Sequence, residues 1–280
     1  MASFLQNQKT KLILILVLAF VIRLDGISSR PIWYDEAFSI LLSEKGPSAI
    51  LHGTLASDSD SSAAEEHPPA YYFTLWGWMQ VFGNSLIAVR MLSIIFSLGI
   101  VLYTYLIANH LFDPSTALAA AFITAILPFQ VHYGQEIRMY VLLTFWLCIA
   151  TLASLRVKRR WILFSVAAAL AQYTHNLAAF YLIPLAFTPI FQKDWKTLRS
   201  LTLAGFAAII IYSPWLIQLP AQLSKVTSSF WIEKPGIEKL FTLFLIYLPH
   251  LPLPNNLLLP ALLLATLIIA LAAFQTHRSK

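Results

Sequence analysis

LIAVRMLSIIFSLGIVLYTYLIA, residues 86–108, is the stretch that decides the class of fold. At about 1.5 Å per residue, a helix over this stretch is long enough to cross the hydrocarbon core of a bilayer, which needs about 20 apolar residues. Arg90 is its only charged side chain. We therefore expect a transmembrane helix here.

The rest of the chain has the same character. Hydrophobic residues make up 58% of the 280 positions and charged residues only 11%, with a mean hydropathy of +0.70. Soluble domains carry roughly 25% charged residues. We predict a single all-α membrane domain over 1–280, a polytopic bundle of about eight transmembrane helices. Besides 86–108, we expect spans near 10–24, 115–131, 139–156, 160–174, 177–192, 199–217 and 257–274.

The charge and the cysteine content of the chain bear on which ligands and cross-links it can have. The formal charge is +6, but Lys and Arg are scattered between apolar runs, so nucleic acid is not a predicted partner. Cys148 is the only cysteine, which gives no basis for a disulfide or a cysteine metal site. The first apolar run lacks a small-x-small cleavage site, so we expect an uncleaved span with Arg23 snorkelling to the interface.

The segment PPAYYFTLWGWMQVF, residues 68–82, is either a span or an interfacial helix. If it spans, the basic loops at 156–160 and 193–199 both face outside, against the rule that cytoplasmic loops are rich in Lys and Arg. We therefore predict an interfacial or re-entrant segment and cytoplasmic termini. Its aromatic residues suit the head-group belt: Tyr71, Tyr72, Trp76 and Trp78.

This topology places the remaining polar clusters on one side of the membrane. The outer side collects residues 33–36, 65–69, 132–140, 174–176 and 230–234, while the inner side collects only basic loops. We predict a first extracytoplasmic loop with interfacial helices over 25–85 and a last long extracytoplasmic loop over 218–256. The partition indicates an active face outside the cytoplasm.

Asp35 and Glu36 follow two aromatic residues in the first outer loop. The apolar positions Ala37, Ile40 and Leu41 allow a helix lying on the membrane surface. Paired carboxylates there suit deprotonation of a hydroxyl or binding of a divalent cation. The alternative is an acidic helix N-terminus that interacts with the helix dipole.

Glu65, Glu66 and His67 stand directly before Pro68-Pro69, whose rings restrict the local backbone. A carboxylate beside an imidazole suits a metal ion or a phosphate. The alternative is a polar loop tip that caps the aromatic helix. Two ligand-type residues do not make a catalytic zinc site, which usually has three protein ligands.

Arg90 and Arg138 lie in or at the start of apolar runs, where an arginine is costly unless it faces a polar cavity or a partner. A guanidinium matches phosphate oxygens bidentately. For Arg90, the alternatives to phosphate binding are snorkelling and an ion pair with a loop carboxylate. For Arg138 function is favoured, because Glu136, Tyr133 and Tyr140 accompany it.

His175 and Glu233 are the last candidates. His175 lies at the outer end of a predicted helix, where a lone histidine is more often structural than a ligand. Glu233 follows Trp231 in the 218–256 loop, which either covers a site or is an inert connector.

Five segments in order carry a resemblance: WYDEA (33–37), EEHPPAYYFTLWGWMQVFGNSLIAVRMLS (65–93), QEIRMYVLL (135–143), YTHNLAAF (173–180) and FWIEK (230–234). Together they resemble the GT-C membrane glycosyltransferases of the protein O-mannosyltransferase and aminoarabinose transferase type, glycosyltransferase family 39. The resemblance implies an all-helical bundle with interfacial helices and a polyprenyl-phosphate sugar donor.

The resemblance also implies roles. Asp35 matches the acidic residue that activates the acceptor, and Glu36 the neighbour that supports acceptor or cation binding. Glu66 and His67 match a pair implicated in cation and phosphate contacts. Substrate-binding positions are expected at His67, Arg90, Tyr133, Glu136, Arg138, Tyr140, His175 and Glu233.

The expected activity is inverting transfer of a sugar from a polyprenyl-phosphate-linked donor to a hydroxyl of an acceptor glycan, lipid or protein. The expected place is the extracytoplasmic face of a bacterial inner (plasma) membrane. The residues and the resemblance fix no cofactor, and a divalent cation at Glu66 is an open alternative. Members usually continue beyond this length, so the competing expectations are a non-catalytic lipid-binding or assembly subunit, or a truncated relative that needs a partner chain. A transporter is less favoured because the polar residues gather at one interface.

Overall fold

The computed structural model describes residues 2–55, 67–220 and 236, with side chains from residue 7 to 51, from 67 to 220 and at 236. Backbone contacts divide the chain into a main unit, Met1–Ile126 with Gln130–Phe230, and a second unit, Leu127–Phe129 with Trp231–Lys280. The described part is helical and contains no β-strand. The all-α prediction is confirmed for these residues.

Eleven helices make up the described part: α1 (Ala2–Leu24), α2 (Tyr34–Glu44), α3 (Gly46–Leu55), α4 (Ala70–Phe82), α5 (Leu86–Leu111), α6 (Pro114–Ile126), α7 (Pro128–Tyr133), α8 (Tyr140–Ser154), α9 (Val157–Thr174), α10 (Ala178–Phe191) and α11 (Trp195–Leu216).

Two described helices, α5 and α11, are long and apolar enough to cross a membrane. Three shorter apolar helices, α6, α8 and α10, fall below that length. The predicted count of eight spans is therefore not confirmed, and the predicted span at 257–274 lies outside the described residues. The two outer loops at 25–85 and 218–256 stay predictions.

Short polar side chains fix where helices begin. Ser85 caps α5 by accepting a hydrogen bond from the Ala88 amide at 3.3 Å. Asp113 caps α6 through the Ser115 and Thr116 amides at 2.8 and 3.1 Å. Each satisfies amide groups that the first helical turn leaves without partners.

Proline and backbone breaks divide runs that look continuous by hydropathy. The predicted span at 115–131 is two helices, because α6 ends at Ile126 and α7 begins at Pro128. A proline disfavours the helical conformation for the residue before it. Near the start of α9, Arg160 has non-helical dihedral angles of φ −129° and ψ 26°.

The aromatic segment 68–82 forms α4, a helix of 13 residues. At about 1.5 Å per residue it is roughly 20 Å long, shorter than the roughly 30 Å hydrocarbon core. Its interfacial placement stays a prediction. The assignment of its tyrosines to the head-group belt is wrong, because Tyr71 and Tyr72 are 2% and 0% exposed and pack in the protein core with Leu75.

Three hydrophobic clusters lie in the described part of the main unit, and the smallest packs α1 against α5 and α6. Two larger clusters support the rest. The first joins α2, α4, α5 and the segment before α8, through residues such as Leu75, Val89, Ile137 and Met139. The second joins α8, α9 and α11, where the alanines of α9 allow close helix packing. The first cluster lies beneath the polar residues that the sequence singled out.

Candidate functional site

Glu36 and Arg90 form the buried centre of the site. Their side chains are both 0% exposed, and the Arg90 Nη2 atom lies 3.7 Å from the Glu36 Oε2 atom. The Arg90 Nη1 atom also donates to the Ile27 carbonyl at 2.7 Å. Of the alternatives for Arg90, the structure therefore shows the ion pair with a loop carboxylate.

Glu36 also organises two stretches of backbone. Its Oε1 atom accepts from the Ile137 amide at 3.0 Å, and its Oε2 atom accepts from the Trp33 amide at 3.3 Å. The second contact is one half of a capping box at the start of α2. One carboxylate thus ties together α2, α5 and the segment that leads into α8.

Asp35 and Arg138 form a second pair at the edge of the first. The Arg138 Nη2 atom lies 3.7 Å from the Asp35 Oδ2 atom, with side-chain exposures of 5% and 34%. The Arg138 Nη1 atom also donates to the Ser39 hydroxyl at 3.2 Å. Unlike Glu36, Asp35 can be reached from outside the protein.

Glu136 is the third carboxylate. It is 4% exposed, and its Oε2 atom has no hydrogen-bond partner in the described part of the chain. Burial raises the pKa of the Glu136 carboxyl to about 6, and Glu36 adds to the rise, while Arg30 and Arg138 oppose it. The site therefore holds a carboxyl group that changes charge near neutral pH.

Aromatic rings link these pairs to the histidines. The Arg138 guanidinium lies 6.0 Å from the Tyr140 ring centroid. The Tyr140 ring lies 5.8 Å from the Tyr133 ring and 6.3 Å from the His175 ring. The His175 ring in turn contacts the His67 ring edge to face at 4.7 Å.

The structure thus brings all nine described site residues of the sequence analysis into one connected group, called here the carboxylate–arginine network. Its members are Asp35, Glu36, His67, Arg90, Tyr133, Glu136, Arg138, Tyr140 and His175. Glu66 and Glu233 lie outside the described residues. The roles of the individual residues stay predictions.

A buried arginine supports the segment that carries Gln135 to Arg138. Arg23 is 0% exposed. Its Nε atom donates to the Ser97 hydroxyl at 2.7 Å, and its Nη1 atom donates to the Ala125 carbonyl at 2.9 Å. Ala125 is in the last turn of α6, where carbonyls lack helical partners. The prediction that Arg23 snorkels to the interface is therefore wrong, because the side chain is buried and its Nε and Nη1 atoms donate inside the protein, while its Nη2 atom has no hydrogen-bond partner among the described residues.

Sequence reasoning missed Arg30 and Ser39. Arg30 donates to the His132 carbonyl at 3.2 Å and contacts the His132 Nε2 atom at 3.1 Å. It is the third arginine near the carboxylates. Its signal was available, since Arg30 directly precedes Pro31 and lies five residues before Asp35.

No group of three or more His, Cys, Asp or Glu side chains that could hold a metal ion occurs among the described residues. The Glu36 carboxylate accepts hydrogen bonds from two backbone amides and pairs with the Arg90 guanidinium, so its oxygens already have partners. Glu66 lies outside the described residues, so the divalent cation there stays a prediction.

Comparison with known proteins identifies the group to which the chain belongs. The sequence model of the dolichyl-phosphate-mannose-protein mannosyltransferase family matches residues 66–218, more than half of the chain. The chain belongs to this family. The resemblance to GT-C membrane glycosyltransferases is thereby confirmed, and the family match covers α4 to α11 with most of the carboxylate–arginine network.

Curated proteins similar to this mannosyltransferase-family chain are undecaprenyl phosphate-alpha-4-amino-4-deoxy-L-arabinose arabinosyl transferases. Those of Pseudomonas aeruginosa strains UCBPP-PA14 and LESB58 are 30% identical over 172 residues, which is 56% of this chain and 31% of theirs. That of Pseudomonas paraeruginosa strain DSM 24068 / PA7 is 29% identical over the same length. The chain spans about a third of the length of the relatives it matches.

Proposed function

We propose that the chain transfers a sugar from a polyprenyl-phosphate-linked donor to an acceptor hydroxyl, with inversion, on the extracytoplasmic face of the membrane. The observation that carries the proposal is the contrast within one network between a buried, fully engaged Glu36 and an accessible Asp35 beside Arg138. The network joins residues far apart in the chain, as an active site does.

Asp35 is the proposed general base. Its side chain is 34% exposed, and only one of its carboxylate oxygens lies near the Arg138 guanidinium. The acceptor hydroxyl gives its proton to Asp35 while its oxygen bonds to the anomeric carbon of the sugar. The bond from that carbon to the phosphate oxygen breaks, and the polyprenyl phosphate leaves with the electron pair.

Arg138 is the proposed phosphate contact, with Arg90 and Arg30 behind it. Negative charge grows on the phosphate oxygen as the sugar leaves, and cations already in place stabilise it without further reorganisation. Arg138 is held by Asp35 and Ser39, so its guanidinium has a fixed direction. Glu36 acts as a positioning residue, because it binds Arg90 and the Ile137 amide next to Arg138.

Glu136 adjusts the charge of the same site. With its carboxyl protonated, the three arginines face two carboxylates, and an anionic phosphate is favoured. Because the pKa of Glu136 is raised to about 6, this form is populated in mildly acidic solution. Tyr133, Tyr140 and His175 supply ring faces and polar edges that suit a sugar.

The test uses the full chain in detergent with undecaprenyl phosphate-aminoarabinose, the donor in the relatives' name, and a lipid acceptor. Liquid chromatography with mass spectrometry follows the release of undecaprenyl phosphate. Asp35→Asn removes the base and keeps the shape, so release should fall about 100-fold or more. Asp25→Asn is the matched control, because Asp25 is exposed in the same loop and contacts Gln135 only through its backbone carbonyl.

A second candidate is a non-catalytic lipid-binding subunit. It is favoured by the internal pairing of Glu36 with Arg90, which stabilises the network without any ligand. Both candidates bind polyprenyl phosphate, so binding alone does not separate them. Release of free polyprenyl phosphate that depends on the acceptor occurs only with an enzyme. Unchanged release of undecaprenyl phosphate by Asp35→Asn would show that Asp35 is not the general base.

A further inference from the structure

A second group of charges lies at the other end of α9, away from the carboxylate–arginine network. There, a cavity of about 460 Å³ is lined by Arg156, Lys158, Arg159, Arg160 and Thr197. The opposite end of α9 leads to His175, 15 residues beyond the break at Arg160, which corresponds to roughly 22 Å. The two groups therefore cannot share one small ligand.

The backbone at the start of α9 gathers these cations. Arg156 and Arg160 both have non-helical dihedral angles, φ −133° and ψ 32° for the first and φ −129° and ψ 26° for the second. A straight helix would spread the side chains of these five residues, 156–160, around its axis at about 100° per residue. The two breaks set the first turn apart, and all four cations line one cavity.

The charge of this cavity is only weakly compensated. Within the described residues, none of the four cations forms a salt bridge with a carboxylate. The nearby Asp194 caps α11, where it accepts from the Thr197 amide at 3.0 Å and from the Thr197 hydroxyl. The Thr197 hydrogen bond lowers the pKa of Asp194, and Lys158 contributes to the same shift. Asp194 is thus already engaged by α11.

An apolar hollow of about 340 Å³ adjoins the cations. It is lined by Lys158, Trp161, Ser200 and Leu203. Trp161 and Leu203 are 51% and 60% exposed, and Trp195 nearby in sequence is 64% exposed. Tryptophan is enriched where a helix passes from hydrocarbon to head groups. A ligand with an anionic head and apolar chains fits both parts.

We propose that this cavity binds the head group of an anionic phospholipid, with the phosphate held by Arg159 and Arg160 and the acyl chains along the hollow beside Trp161. Guanidinium groups match phosphate oxygens in a bidentate manner. The inference is independent of the proposed glycosyl transfer, since none of these residues belongs to the carboxylate–arginine network.

The competing explanation is general charge. Basic loops attract any anionic membrane surface and set topology without forming a site. Under that explanation, loss of two cations anywhere at this end of the bundle has the same effect. The chain offers a matched comparison, because Lys193 and Lys196 are exposed and near in sequence to Thr197 but do not line the cavity.

The experiment measures phosphatidylglycerol binding to the full chain by native mass spectrometry in a neutral detergent, with phosphatidylcholine as the reference lipid. Arg159→Gln/Arg160→Gln should lower the affinity for phosphatidylglycerol at least tenfold. Lys193→Gln/Lys196→Gln should lower it less than twofold. All four positions are exposed, so both variants should fold, and circular dichroism checks this.

Equal losses in the two double variants, or no loss in either, would overturn the proposal and leave general charge as the explanation. Inorganic phosphate forms a separate arm of the experiment. If it displaces phosphatidylglycerol at equal concentration, the cavity binds soluble anions and the lipid assignment is wrong. Retention of phosphatidylglycerol against excess inorganic phosphate supports the lipid.

Discussion

The two ends of the helical bundle use arginine in opposite ways. At the network end, Arg90 and Arg138 are 0% and 5% exposed, and each faces a carboxylate. At the cavity end, Arg159 and Arg160 are exposed and face no carboxylate in the described structure. The first arrangement fixes side chains in place, whereas the second leaves positive charge available to an anion.

The difference has an energetic basis. A buried arginine must recover its lost hydration from a paired charge and hydrogen bonds, so its partners are part of the fold. An exposed arginine keeps its water, and its substitution costs little stability. We therefore expect changes at the network end to alter folding and chemistry together, and changes at the cavity end to alter ligand binding alone.

The largest expected effect is the loss of the buried pair. Glu36→Ala leaves the Arg90 guanidinium buried without its charge partner and removes the acceptor for the Ile137 amide. Removing one partner of a buried ion pair costs about 3–5 kcal/mol. Denaturant unfolding in detergent, followed by circular dichroism, measures this loss in the free energy of unfolding.

Two controls sharpen this comparison. Arg159→Ala at the cavity end should change the free energy of unfolding by less than about 0.5 kcal/mol. The double variant Glu36→Leu/Arg90→Met should lose less than the sum of its two single variants, because no uncompensated charge stays buried. A loss of equal size at Glu36 and Arg159 would contradict the distinction between the two ends.

The sequence identified the network because charges are rare in so apolar a chain, and each has to be explained. It could not pair them. That Glu36 binds Arg90 and Asp35 binds Arg138 depends on which face of α2 turns inward. This face carries Glu36, Ser39 and Ser43, with Leu42 as its one buried apolar residue.

The lengths of the helices were predicted less well than the grouping of the polar residues. The run at 115–131 contains no charged residue, so hydropathy gave one span where Pro128 divides it into α6 and α7. The residue before a proline avoids the helical conformation, which was the available signal. Arg23 was misplaced for a different reason, since only the packed structure shows Ser97 and Ala125 as its partners.

The second largest effect on stability is expected at Gly134, whose backbone lies close to other atoms. A Cβ atom at Gly134 would lie 2.7 Å from the Ser97 hydroxyl, 2.8 Å from the Gln130 carbonyl and 2.9 Å from the Arg23 Nε atom. Gly134→Ala should therefore lower the free energy of unfolding by up to about 3 kcal/mol, as overpacking does. Thermal unfolding with a detergent-stable fluorophore measures it.

Gly205 in α11 provides the matched control, because nothing lies within 4 Å of its Cβ position. Gly205→Ala removes a flexible residue from a helix and should stabilise the protein by about 0.5–1 kcal/mol. The two substitutions are chemically identical, so opposite signs test the packing around Arg23. Stabilisation by both would show that the Gly134 segment has room to move.

Among the residues of the network end and its support, the smallest expected effect is that of the Glu136 charge, and its direction is defined. Burial raises the pKa of its carboxyl from 4.5 to about 6, so the folded protein holds the proton more tightly than the unfolded chain. The resulting stabilisation is fully present below about pH 4.5 and is lost as the pH rises through about 6. This pKa difference between the folded and the unfolded state corresponds to about 2 kcal/mol in the free energy of unfolding.

Glu136→Gln should abolish this part of the pH dependence and be more stable than the parent protein at pH 7. The quantity to measure is the difference in unfolding free energy between variant and parent from pH 4.5 to 7, because the titration of all other groups cancels in this difference. Glu44→Gln changes an exposed carboxylate in α2 and should follow the parent curve. A constant difference for Glu136→Gln across this range would mean that folding does not shift the pKa of Glu136. The network end would then carry no adjustable charge, and its contrast with the cavity end would rest on Glu36 and Arg90 alone.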